Sequence, residues 1–174
     1  MSRIGAILCG DVPDLKGGPP VKAMLIQNTN PMLVAPDLNR VQRGFARDDL
    51  FVCVHEQFLT ETARMADILL PECTDLEGLQ LIRIGGSKYV EQFWEYSGFA
   101  LRDPATKPQG EAKDFTWIAT ELADRTGLLK EYNAAITRGA AGVRLHGEGY
   151  DFSLDPDRVH GVEEIWDASC RAAS

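Results

Sequence analysis

The stretch at 52–71, VCVHEQFLTETARMADILLP, decides the fold. The apolar run from Leu50 to Val54 has the composition of a buried strand. It breaks into the polar residues His55, Glu56 and Gln57, and a Thr/Glu-rich turn follows. Residues 60–66 read as a short helix with Thr60 as its cap, because a threonine hydroxyl can accept from the first unsatisfied helical N–H groups. A second apolar run, Ile68 to Leu70, lies in the next strand, expected over Ala66 to Leu70, and Pro71 stops it. Asp67, just before that run, reads as a structural carboxylate bonding the backbone of the preceding helix or loop.

On the N-terminal side, Lys22 to Gln27 (KAMLIQ) is another short apolar strand. The segment Asn28-Thr29-Asn30-Pro31 turns the chain, since asparagine tolerates unusual backbone angles and Pro31 restricts Asn30. Residues 36–48 form a helix with Pro36 at its start, and Leu38, Val41 and Phe45 fall near helical spacing. Strand, helix, strand, helix, strand with short connections predicts an α/β unit with a parallel sheet and right-handed crossovers.

After Pro71 the pattern changes. An extended piece is expected at Leu81 to Ile84, a turn at Gly85-Gly86, and a loop over 103–113. Residues 114–126 are helical: Asp114 caps, Trp117, Ile118, Leu122 and Ala123 make one face, and Gly127 ends the helix. Further helices are expected near 130–138 and 161–173, separated by a long Gly- and Asp-rich stretch. Trp94, Trp117 and Trp166 read as core residues.

The chain has 174 residues, enough for one cored domain or a domain with an extension. A formal net charge of −8 argues against a nucleic-acid partner. No apolar run approaches the roughly 20 residues of a membrane helix. The opening MSRIGAILCG lacks the apolar core and small-residue site of a signal peptide, and both a cytoplasmic and a periplasmic setting are compatible with the sequence. Cys9, Cys53, Cys73 and Cys170 are scattered with no close pair, so reduced thiols are expected rather than a zinc or iron–sulfur site.

In an open parallel sheet, ligands bind beyond the carboxyl ends of the strands. Two strand exits carry polar groups here: Asn28, Thr29 and Asn30 after the first strand, and His55, Glu56 and Gln57, followed by Thr60, after the second. A carboxylate there can accept paired N–H bonds from a guanine edge or bonds from ribose hydroxyls, and asparagine offers both donors and acceptors. The helix start at Thr60 to Thr62 could receive an anion. The plainer alternative makes these turn and cap residues, with Glu56 solvated and His55 a surface or hydrogen-bonding loop residue. No GxGxxG or GxxxxGK[ST] occurs. A hydrolase built on His55–Glu56 or His146–Glu148 has little support, since no GxSxG is present.

The block from Lys22 to Glu77 resembles the molybdopterin-dependent oxidoreductases of the dimethyl sulfoxide reductase family. The matching elements are Asn30-Pro31, the acidic Glu56 closing a strand, Thr60-Glu61-Thr62-Ala63, Ala66-Asp67-Ile68-Leu69-Leu70-Pro71, and the downstream Glu77. GEAKDFTWIATELADRTGL, from Gly110, is similar to the family's next helix. The resemblance implies a Rossmann-like α/β domain over 1–128, the second of two such domains, with a helical and irregular extension over 129–174. It also implies that Asn28, Thr29, Asn30, Glu56, Thr60 and, less directly, Asp114 contact a guanosine end of a bis(molybdopterin guanine dinucleotide) cofactor carrying molybdenum or tungsten. The isolated piece need not retain that cofactor.

The family's catalytic subunits are several times longer, and their iron–sulfur segment, metal ligand and closing barrel have no counterpart in these residues. The expected partners are the remaining domains of the catalytic subunit and an iron–sulfur electron-transfer subunit. The parent would perform oxygen-atom or two-electron transfer, and this chain alone is expected to be inactive. A stand-alone nucleotide- or partner-binding module is the competing reading. An apolar surface left by missing domains is expected near 130–174.

Overall fold

In the computed structural model, the described residues are 3–10, 18–84, 98–138, 146–147 and 150–173. They divide into two compact units, Met1–Glu72 and Cys73–Ser174.

The first unit is an α/β layer. Its sheet is three-stranded and parallel, in the order β1 (Ala23–Gln27), β2 (Phe51–Glu56), β3 (Ile68–Pro71). The register places Leu25 beside Cys53 and Ile68, and Gln27 beside His55 and Leu70. Ile26, Val52 and Val54 point to one face, where they meet Leu8, Val41, Phe45 and Ala63 in the main core. These core residues come from α1 (Ile4–Leu8), α3 (Leu38–Phe45) and the connection between β2 and β3, which contains a single 3-10 turn at Ala63–Met65.

α1 was not foreseen: five residues are too few for a periodic signal. The backbones approach closely where α1 meets α3. A Cβ at Gly5 would stand 2.7 Å from the Val41 nitrogen, and one at Gly44 2.5 Å from the Leu8 Cβ. α3 begins later than Pro36 suggests. Asp37 is its cap, in the left-handed region at φ 58°, with its side chain accepting from Arg40 N. α2 (Pro31–Val34) adds a short turn directly after the Asn-Pro pair.

Asp67 is structural, although its partner is the start of β2 rather than the preceding helix or loop. Val52 N donates to Asp67 Oδ2 at 2.7 Å, and Asp67 N donates to Val52 O at 2.8 Å.

The second unit holds an antiparallel pair, β4 (Gln80–Ile84) and β5 (Gly98–Arg102), then α4 (Phe115–Arg125), α5 (Leu129–Thr137), a two-residue hairpin of β6 (His146–Gly147) and β7 (Tyr150–Asp151), and α6 (Val162–Ala173). Asp114 caps α4 as the sequence suggests: Trp117 N donates to its Oδ1 at 2.9 Å. Gly127, at φ 74°, ends that helix in the left-handed conformation that glycine adopts without strain. Trp117 is not core. It is 41% exposed, and Lys113 Nζ lies 5.3 Å from its ring centroid. Trp166 is half-buried. Trp94, the Gly85-Gly86 turn, and Glu148 lie outside the described residues. Cys9, Cys53 and Cys73 are free thiols, and burial pushes the Cys53 thiol above its ordinary value.

The apolar surface expected near 130–174 is not seen among the described residues. Among the described residues there, the large exposed apolar side chain is Val159. Phe152, Leu154 and Ile165 pack a small core of their own, with Ile136 and Ala168 against it. The exposed apolar side chains concentrate in the first unit, including Leu25, Phe51 and Ile68 on the sheet.

Candidate functional site

Parallel, in-register pairing brings the three strand exits of the first unit side by side. β1 delivers Gln27 and Asn28, β2 delivers His55 and Glu56, and β3 ends at Pro71 with Glu72 next. The backbone ladder continues past the strands: Asn28 N donates to His55 O, and Glu72 N donates to Glu56 O, both at 3.2 Å. Asn28 takes the left-handed conformation, φ 48°, which bends the chain away from the sheet edge at this point.

The sequence-predicted residues separate into two groups. Asn30 serves the fold: its Oδ1 accepts from Thr62 N at 3.2 Å and from Thr62 Oγ1 at 2.7 Å, while its Nδ2 donates to Glu61 at 2.7 Å. The Asn30 bond holds the Glu61 carboxyl below its ordinary value. Thr60 is not at the cap position: the helical turn here is Ala63–Met65, preceded by Thr62, whose side chain makes no cap bond, while Thr60 Oγ1 accepts from Ala63 N at 3.2 Å. That turn is too short to present a helix-end anion site. Asn28, Thr29 and Glu56 remain at the strand exits, with Asn28 exposed and the other two half-buried. Glu56 Oε1 accepts from Gln57 N at 2.9 Å. Asp114 belongs to the second unit.

His55 is no surface loop residue. β2 runs two residues beyond Val54, so His55 is inside the strand and fully buried. Glu72, which the sequence reading passed over, is the other buried polar group at this edge, 8% exposed. Its Oε1 accepts from Asn28 Nδ2 at 2.9 Å, and its Oε2 is buried with no hydrogen-bond partner. Burial pushes the Glu72 carboxyl above its ordinary value, against the pull of the Asn28 bond and the nearby His55, while Glu56 pushes it further up. A carboxylate directly following a strand-stopping proline was the available signal.

Glu77, part of the family-like block, is a turn residue of the second unit. Its carboxylate accepts from Thr74 N, Thr74 Oγ1 and Gln109 N at 2.9, 3.0 and 3.1 Å, and the Thr74 bonds hold it below its ordinary value.

A raised carboxyl makes a testable statement about stability. Glu72 contributes stability while protonated, below the ordinary carboxylate range, and that contribution is lost as pH rises through its folded value. Glu72→Gln keeps an acceptor for Asn28 and removes the buried charge. The variant is expected to melt above the wild type at neutral pH and level with it near pH 4. Thermal melts across that range check it, and a lower neutral-pH Tm for the variant counts against this account.

A cavity of about 490 Å³ in the second unit is lined by Arg158, His160, Glu164, Asp167 and Arg171, among others. Its charges already pair, Arg158 with Glu164 and Arg171 with Asp167. The Glu164 carboxyl is held down to about 2, chiefly by the Arg158 bond. This is a structural network rather than an open ligand site. Among the described residues no group of His, Cys, Asp and Glu could hold a metal ion, and no helix is long and apolar enough to cross a membrane.

Comparison with known proteins agrees with this fold. Residues 11–125 match the model of the molybdopterin oxidoreductase family. The chain is 33% identical to the probable oxidoreductase YoaE of Bacillus subtilis over 144 residues, covering 80% of this chain and 19% of that protein. It is 40% identical over 157 residues to the F420-dependent formate dehydrogenase 1 subunit alpha of Methanococcus maripaludis, covering 80% of this chain and 21% of that subunit. The solved structure of acetylene hydratase from Pelobacter acetylenicus superposes with a TM-score of 0.54 at 26% identity, over 74% of this chain and 16% of that one. The chain thus spans about a fifth of the length of these relatives. It belongs to the molybdopterin oxidoreductase family.

Proposed function

We propose that the chain supplies part of the seat for a guanosine end of a bis(molybdopterin guanine dinucleotide) cofactor, and that the redox chemistry belongs to the rest of the enzyme. The observation that carries this reading is the half-buried Glu56 at the carboxyl end of a central parallel strand, beside the Asn28 exit. Strand ends of open α/β sheets are where nucleotides sit. The residues fit the group chemically. Guanine presents N1–H and N2–H donors and ribose presents hydroxyls, and a carboxylate accepts from either. Asn28 adds a side chain that bonds in both senses, and the buried, unpartnered Glu72 oxygen marks a neighbouring acceptor. When bound, the cofactor's molybdenum or tungsten supplies oxygen-atom or two-electron transfer in the parent. Glu56 and Asn28 would fix the nucleotide end, with Thr29 and Thr60 as further contacts and Asn30 shaping the turn. The remaining catalytic domains, and an iron–sulfur subunit as electron partner, complete the proposed assembly.

Titration calorimetry with GMP and AMP tests the reading. GMP is expected to bind more tightly than AMP. Glu56→Ala is expected to weaken GMP about 10–100-fold, the worth of a hydrogen bond to a charged group. Equal affinity for the two nucleotides, unaffected by Glu56→Ala, would favour a generic nucleotide-binding module. No binding of either would remove the proposal.

A further inference from the structure

A side-chain bridge spans the three strand exits of the first unit. Asn28 follows β1 and Glu72 follows β3, and these strands are not neighbours, because β2 lies between them. Two strand spacings separate them, about 9–10 Å. The 2.9 Å bond from Asn28 Nδ2 to Glu72 Oε1 closes that gap over the end of β2. The backbone is fixed separately at both ends of the bridge, since Asn28 N donates to His55 O and Glu72 N donates to Glu56 O. Asn28 stays exposed, whereas Glu72 is 8% exposed.

The buried charge in this bridge needs an account. Burial raises the Glu72 carboxyl; the Asn28 bond, His55 and Gln27 oppose that rise, and Glu56 adds to it. Those are the polar and charged groups that face it, Gln27 and Asn28 from the β1 side and His55 and Glu56 from β2. A glutamine at 72 could make the same contact with Asn28 without a charge to bury. What glutamine cannot do is impose a direction on the Asn28 amide. An ionised carboxylate only accepts, so it takes Nδ2 and leaves Oδ1 on the far branch of the amide. Glutamine, or a protonated glutamate, donates as well as accepts, and either end of the amide then satisfies it.

We propose that Glu72 is a positioning residue that turns the Asn28 amide oxygen outward, so that Asn28 and Glu56 present two acceptors at adjacent strand exits and select a nucleobase edge with two adjacent donors. Guanine has such an edge, N1–H beside N2–H, whereas adenine sets its N1 acceptor beside the N6–H donor. The inference rests on the guanosine-seat reading and deepens it: the preference for guanine is set by a residue that does not touch the base. Glu72 Oε2, buried without a hydrogen-bond partner, is the oxygen left to carry the proton when the carboxyl is neutral. Selection of guanine is therefore strongest with Glu72 ionised and fades as pH falls through its folded value. A buried charge that lowers stability at neutral pH is kept because the site uses it.

The test follows the nitrogen-labelled full chain by NMR, as wild type and as Glu72→Gln, titrated with guanosine and with adenosine at about pH 5 and about pH 8. Nucleosides bring no phosphate to titrate in that range. At the higher pH the wild type is expected to prefer guanosine, and Glu72→Gln to lose about 3–10-fold of that preference, the worth of one hydrogen bond. Lowering the pH is expected to take the same preference from the wild type and to change the variant, which retains Glu56, far less. Without nucleoside, the Asn28 side-chain amide signals are expected to shift with pH in the wild type, with a midpoint above the ordinary carboxylate range, and to lose that shift in the variant. A merely structural Glu72 would move none of these readouts in a variant that melts at or above the wild type. The wild-type pH series needs no substitution, so it decides the matter even where the variant folds poorly. A guanosine preference unchanged in Glu72→Gln, or Asn28 signals indifferent to pH, would overturn the proposal and leave the guanosine seat standing. Absence of nucleoside binding by the wild type would overturn both.

Discussion

Replacing Thr62 with valine is expected to destabilise the first unit by about 2–3 kcal/mol, while Thr62→Ser costs roughly 1 kcal/mol for the lost methyl. Thr62 is fully buried, and its hydroxyl works in both directions. It donates to Asn30 Oδ1 at 2.7 Å and accepts from Met32 N at 3.0 Å. Valine has nearly the same shape, so packing is preserved and only the hydroxyl is removed. Met32 N–H, at the start of α2, is then left without its acceptor, and Asn30 keeps only the Thr62 N–H on its carbonyl oxygen. An unsatisfied part-buried donor costs more than the bond it formerly made. Urea unfolding followed by circular dichroism separates the two variants. A loss for valine no larger than that for serine would show that the hydroxyl contributes no more than the methyl here. The same substitution reaches the candidate site, because Thr62 ties the β1 exit to the connection between β2 and β3.

That tie illustrates what the sequence made legible. The periodicity of the apolar runs located β1, β2 and β3 within about two residues, because each is short, β-rich and bounded by polar or proline punctuation. Asp114 was readable as a cap because capping is local chemistry, decided within three residues. Non-local roles were not readable. Asn30 and Thr60 were legible as polar residues near the strand exits, but not their side-chain bonds to Thr62, Glu61 and Ala63. His55 looked like loop because polarity suggested that the strand had ended, whereas the ladder with Gln27 and Leu70 carries it on. Glu72 is notable only once Asn28 and β3 are adjacent, since its burial is created by strands distant in sequence. Gly5 and Gly44 carry no local signal at all; their meaning is the closeness of two helices.

Asn133→Leu is expected to cost the second unit about 3–4 kcal/mol. Asn133 lies on α5 and is fully buried. Its Nδ2 is within 3.0 Å of Asp155 O, 3.3 Å of Pro156 O and 3.0 Å of Arg158 O, so one amide group holds the turn that leads into α6. Two N–H bonds serve three carbonyls, and leucine serves none of them. The orphaned carbonyls must then find water, which requires the turn to open. The loss should spread to what that turn carries: His160 Nε2 lies 2.9 Å from Asp155 O, and Arg158 pairs with Glu164. Asn133→Asp sharpens the test. It preserves shape but replaces the donor with an acceptor facing carbonyl oxygens, so at neutral pH it is expected to be at least as damaging as leucine. As pH falls and the new carboxyl protonates, it regains one donor, and its deficit relative to wild type should shrink. Chemical denaturation of both variants at neutral and mildly acidic pH reads this directly. A loss below about 1 kcal/mol for leucine would show that the turn holds itself, without the amide.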